Sequence, residues 1–143
     1  MTNTRYPQVT LAGTPKERGR LYGGACRSMI DASIRNYADM FSAFSGISWE
    51  DAGRLALGFL PFIRDYSPKT VEEMEGIAEG SGKTFGDILT LNARSEIVLD
   101  AHVDGCTAFG VSPAASADGK TYICQNWDWI RRQGDALVVV TLE

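Results

Sequence analysis

The chain has 143 residues, 44% of them hydrophobic and 22% charged, enough for a folded core and unlike a disordered chain. A net charge of −4 argues against the basic stripe that nucleic-acid binding usually needs, so no nucleic-acid partner is expected. The longest clean apolar run, Ala136 to Val140, is far short of the ~20 residues a bilayer span requires, so no membrane partner is expected. The first ten residues hold no apolar core of signal-peptide length, and the expected location is cytoplasmic. Cys26, Cys106 and Cys124 are odd in number and far apart, which points to reduced thiols.

A short extended segment, Gln8 to Ala12, opens the chain. Thr14 fits a helix N-cap, Pro15 the first helical position and Glu17 the end of a capping box. One long helix is predicted after it, with Tyr22, Ala25, Met29, Ala32, Tyr37, Met40, Phe41 and Phe44 along its apolar face. Gly19 and Gly23 share a face of that helix, and each weakens it by ~1 kcal/mol relative to Ala. Close packing against another element is the expected compensation. Ser48 with Asp51 begins a second helix that Pro61 should kink or divide. Ser67-Pro68 begins a third, with Val71, Met74 and Ile77 inward and Gly80 and Gly82 at its end. Thr84 with Asp87 caps a fourth, bearing Ile88, Leu89 and Leu91.

After Asp100 the pattern turns to β. Cys106 to Ser112 and Lys120 to Trp129 read as strands around a loop, and Ala136 to Leu142 as a third strand. The chain stops directly after the β-rich Val138-Val139-Val140, which suggests a fragment of a longer protein. The predicted organisation is a helical segment, 1–105, followed by the first strands of a β layer, 106–143.

Two local patterns point away from chemistry. Gly80-Ser81-Gly82-Lys83-Thr84 resembles a phosphate-binding loop, but position 77 is Ile and a helix, not a strand, precedes it. Helix-ending glycines with a capping threonine account for it better. His102, Cys106 and Cys124 lack the paired short spacings of a zinc site, and no metal or organic cofactor is expected.

The informative stretches are Leu91-Asn92-Ala93-Arg94-Ser95-Glu96, Asp104-Gly105-Cys106-Thr107 and Gln125-Asn126-Trp127-Asp128, together with Gly13-Thr14-Pro15, Glu17 and Gly19. In this order they resemble the isopenicillin-N acyltransferase family of N-terminal-nucleophile hydrolases. The resemblance runs from about Leu11 to Trp129. It implies an α+β fold, the αββα sandwich of those hydrolases, present here only in part. It also implies self-cleavage between Gly105 and Cys106, leaving Cys106 as a new N-terminal nucleophile, with Asp128 in the active site. The expected reaction is hydrolysis or acyl transfer at an amide of an N-acyl amino compound, through an acyl-Cys106 thioester. The partners so implied are a small-molecule amide or acyl donor, with an acyl-coenzyme A donor admitted by the resemblance, and the chain's own C-terminal remainder. Related bile-salt hydrolases carry arginine where Gln125 stands, which favours the penicillin-acyltransferase branch. The oxyanion-stabilising asparagine of the family would lie beyond Glu143. Oligomeric state is left open.

Residue chemistry is consistent with these roles. Gly105 leaves its carbonyl open to attack, and a freed Cys106 α-amine, with a reference pKa of about 7.7–8.0, would be a base near neutral pH. If Ser112 pairs with Lys120, Cys106 faces Asn126 and Asp128 lies one pleat along on the same face. Asn126 and Asp128 are also types that satisfy strand-end backbone groups. Asp104, Thr107, Asn126 and Arg94 are supporting candidates, and Arg94 with Glu96 is expected to form an ion pair. The reading from another class is a non-catalytic binding or structural module that keeps the fold.

Overall fold

The computed structural model describes residues 6–98 and 106–143, in two compact units. The first holds strand β1 (Gln8–Leu11), six helices and the returning segment Arg132–Glu143, which includes β2 (Val139–Leu142). The helices are α1 (Pro15–Ala25), α2 (Arg27–Met40), α3 (Trp49–Tyr66), α4 (Pro68–Ser81), α5 (Phe85–Asn92) and α6 (Arg94–Val98). The second unit holds a hairpin of β3 (Cys106–Val111) and β4 (Tyr122–Trp127). The class is α+β.

Three helices start where capping chemistry says they should. Thr14, Ser48 and Thr84 each accept from the backbone N–H three residues on, while Glu17, Asp51 and Asp87 accept from the cap N–H in return. The expected single N-terminal helix is instead two, because the chain breaks at Cys26 (φ −108°, ψ 19°). The break follows Gly23-Gly24, where the helix is intrinsically weakest. A π-turn, Phe41–Ser45, then ends α2, and Gly46 leaves it at φ 65°.

α3 runs unbroken through Pro61, so that proline does not divide it. Proline forfeits the one hydrogen bond to the carbonyl four residues back, at Leu57. Leu57 lies on the exposed side, where water can serve that carbonyl.

The pairing of α1 with α4 is set by glycine. Gly19 and Gly23 of α1 meet Gly76 and Gly80 of α4. A Cβ on Gly19 would overlap the Glu73 carbonyl, one on Gly76 the Lys16 carbonyl, and one on Gly80 the Arg20 carbonyl. Gly80 is therefore a helix-packing residue, and the helix ends at Gly82, in the left-handed region at φ 72°. Arg18 with Glu73 (3.2 Å) and Lys16 with Glu79 (2.7 Å) tie the flanks.

The core gathers Cys26, Ile30, Ala56, Val71, Met74, Ala78, Ile88, Leu89 and Ala93. β1 and β2 pair in parallel, Gln8 with Val139 through Leu11 with Leu142. Val9 and Val138 lay this ribbon on the core. The returning segment is also held by side chains. Gln133 donates to Ser33 Oγ (2.9 Å), and Asn36 Nδ2 donates to the Arg132 carbonyl (3.2 Å) and to Gln133 Oε1 (3.3 Å). So 132–143, expected to continue the β layer, joins the helical unit instead.

Among the described residues, no helix is long and apolar enough to cross a membrane.

Candidate functional site

Cys106 is the first residue of β3 and is exposed, as is Cys124 on β4; Cys26 is buried in the helical core. Burial pushes the Cys26 thiol above the ordinary range, which disfavours a nucleophilic thiolate there. Of the three thiols, Cys26 is thus a packing residue. Gly105 and Asp104 lie outside the described residues, as does His102.

The hairpin register corrects the sequence expectation by one residue. Cys106 pairs with Trp127, Thr107 with Asn126, Ala108 with Gln125, Phe109 with Cys124, Gly110 with Ile123 and Val111 with Tyr122. Asn126 therefore shares a face with Thr107, and Cys106 shares the other face with Trp127. The cause lies in the connection. Ser112 leads into a short 3-10 turn, Pro113–Ala115, instead of pairing. At the far end, Asp118 accepts from the Lys120 N–H (3.3 Å) and from the Tyr122 hydroxyl (2.6 Å), so β4 begins only at Tyr122. The Tyr122 bond holds the Asp118 carboxyl below the usual carboxylate range.

Asp128 follows the end of β4. It is flanked by Trp127 and Trp129, whose rings stack at 5.7 Å with 21° between their planes. Asp128 does not share the Cys106 face in this register, since strand alternation carries residue 128 with Asn126.

Arg94 departs from its expected pairing with Glu96. Its Nε donates to the Tyr37 hydroxyl (2.9 Å) and its Nη1 to the Leu91 carbonyl (3.0 Å), with the guanidinium 5.5 Å from the Tyr37 ring centre. No Arg94–Glu96 ion pair forms among the described residues. Tyr37, almost fully buried beneath it, is a residue the sequence reading placed in the core without seeing this role. A phenol on a helical apolar face next to a later arginine gave no signal of contact.

Both faces of the hairpin are open. On the Cys106 side Ile123 is 84% exposed and Trp127 48%, and on the other Phe109 is 58% exposed. Apolar residues on both faces are the pattern of a strand pair buried on two sides. Among the described residues, no group of three His, Cys, Asp or Glu side chains is placed to hold a metal ion.

No family model matches the chain. Comparison with curated proteins finds an acyltransferase at modest identity. The chain is 27% identical over 138 residues to the 40 kDa form of acyl-coenzyme A:6-aminopenicillanic-acid-acyltransferase of Emericella nidulans, covering 94% of this chain and 37% of that protein. It is also 30% identical over 126 residues to protein dcd1A of Dictyostelium discoideum, covering 76% of this chain and 28% of that protein. The chain thus spans only about a third of the length of the curated relatives it matches. It is a homologue of the isopenicillin-N acyltransferase family.

Proposed function

We propose that this chain carries the nucleophile of a self-processing cysteine amidohydrolase or acyltransferase with the N-terminal-nucleophile αββα sandwich. The observation that supports it best is the exposed Cys106 at the head of a β-strand in a homologue of an acyltransferase. In the processing step the Cys106 thiol attacks the Gly105 carbonyl. A C–S bond forms, the C–N bond breaks, and the departing amine takes the proton. Water then hydrolyses the thioester, releasing the Gly105 carboxylate and regenerating the thiol.

The freed α-amine is the general base of turnover, held beside its own thiol by covalent geometry. The thiol attacks the substrate amide, the amine leaves protonated, and an acyl-Cys106 thioester remains. Water or an acceptor amine takes the acyl group. Asp128, one residue past the strand partner of Cys106 and on the other face from its thiol, is assigned to orienting the ammonium, a main-chain group not confined to the thiol's face. Thr107, Asn126, Asp104 and Arg94 are supporting residues of the processing region. The pieces 1–105 and 106 onward stay together as partners, and an oxyanion donor comes from outside this sequence. Such donors are worth about 10²–10³ in rate.

The test is to mix the full-length natural protein with N-acyl amino compounds, quench in acid, and weigh the peptide that begins at Cys106. A mass increase equal to the acyl group, absent in Cys106→Ala, supports the reading. An added amine that yields a new amide identifies a transferase, and its absence at high amine concentration identifies a hydrolase. No acyl adduct with any donor, together with a Cys106 thiol that alkylates no faster than Cys26 and Cys124, favours the non-catalytic module.

A further inference from the structure

We infer that Trp127 is a specificity-determining residue of the Cys106 site, an apolar wall against which the acyl group carried on the thiol lies. This rests on the reading of Cys106 as the nucleophile. The register places Trp127 directly opposite Cys106. The two side chains therefore leave the sheet on one face, with Cβ atoms ~4.5–5.5 Å apart. An acyl group bonded to Sγ meets the indole first.

The indole is also held in place. Its ring stacks on Trp129 at 5.7 Å, so little side-chain freedom remains to be lost on contact with a ligand. The rest of the face agrees. β3 contributes only Ala108 and Gly110 beside Cys106, while β4 contributes Ile123, Gln125 and Trp127. The thiol's own strand is low, and the neighbouring strand is the wall.

The chemistry of that wall selects the acyl group. An anionic acyl chain lying against an indole would give up hydration without a partner. An uncharged apolar acyl group gains from the contact. The class of substrate is therefore an amide or thioester whose acyl portion is apolar, whatever its amine or thiol portion.

The test uses the full-length natural protein and two reagents with one warhead, N-benzyl and N-methyl iodoacetamide. The alkylation rate at Cys106 is followed by peptide mass. The benzyl-to-methyl rate ratio is expected to fall about three- to tenfold in Trp127→Ala and to persist in Trp127→Phe. The ratio at Cys124, on the opposite face, stays as in the wild type. An equal ratio in wild type and Trp127→Ala overturns the inference. If Trp127→Ala loses the wild-type melting transition, Trp127→Leu replaces it, and loss of the preference there, with Phe retaining it, supports an aromatic wall. A ratio unchanged in Leu overturns it. Alkylation needs no turnover, so failure of the enzyme reading shows instead as a full-length chain that never splits after Gly105.

Discussion

The helical unit and the hairpin are stabilised in opposite ways. In the helical unit, apolar stripes face each other, the glycines of α1 and α4 bring two backbones into contact, and Leu89 and Phe41 are completely buried. In the hairpin every residue of β4 is exposed. A two-stranded ribbon is marginal in water without a further layer. The helical unit carries no exposed cysteine among the described residues, and the unit with the exposed Cys106 and Cys124 leaves its own faces open. The buried core and the proposed nucleophile thus lie in different stretches of one chain.

Substitutions of the 143-residue chain can break or sharpen that contrast. The largest effect is expected at the helix crossing. Gly80→Val drives a side chain into the Arg20 carbonyl, and overpacking that only backbone motion can relieve should cost about 3 kcal/mol or more. Urea unfolding followed by far-UV circular dichroism measures it, and a variant as stable as wild type would refute the tight crossing. Leu89→Ala, at a fully buried core position, should cost about 2–5 kcal/mol by the same measurement.

A smaller, pH-dependent effect is expected at Asp87. Burial acts to raise its carboxyl, but hydrogen bonds from Trp49 Nε1 (2.8 Å) and from the Thr84 hydroxyl and N–H outweigh it and hold it below the usual carboxylate range. A depressed folded-state pKa means stability that is present above the unfolded value and lost as pH falls through the folded one. Trp49→Phe should therefore cost about 1–3 kcal/mol at pH 7. That deficit should narrow as the pH falls through the depressed folded-state value and the carboxyl protonates in both proteins. A deficit constant with pH would assign the loss to packing against Phe41, on which Trp49 stacks at 5.8 Å. The smallest effect is expected in the hairpin. Ile123→Thr should change unfolding by less than about 0.5 kcal/mol, and a core-sized loss would mean that the hairpin is not open.

Much of the helical unit was legible because its signals are local. Thr14, Ser48 and Thr84 each sit three residues before a carboxylate that completes the box, and Gly19 with Gly23 announced a close neighbour. What the sequence hid was non-local or turned on a single residue of spacing. Gly76 sits one residue short of the phosphate-loop glycine position that Ile77 fills, and its place is in the helix crossing. The parallel pairing of Gln8–Leu11 with Val139–Leu142 joins the two ends of the chain, and no periodicity encodes that. The hairpin register depended on Asp118 capping the start of β4, and one residue there moves Asn126 to the other face from Cys106. The candidate cysteine itself was visible from its sequence surroundings, whereas Trp127 opposite it and Tyr37 under Arg94 emerged only from three-dimensional pairing.

The central claim, that Cys106 is the nucleophile, is tested most directly by the intact mass of the full-length natural protein beside its Cys106→Ala variant. Two pieces that meet between Gly105 and Cys106 in the first, with a single chain in the second, are the predicted result. A single uncut chain in both, or a cut after Gly105 that persists in Cys106→Ala, would contradict it.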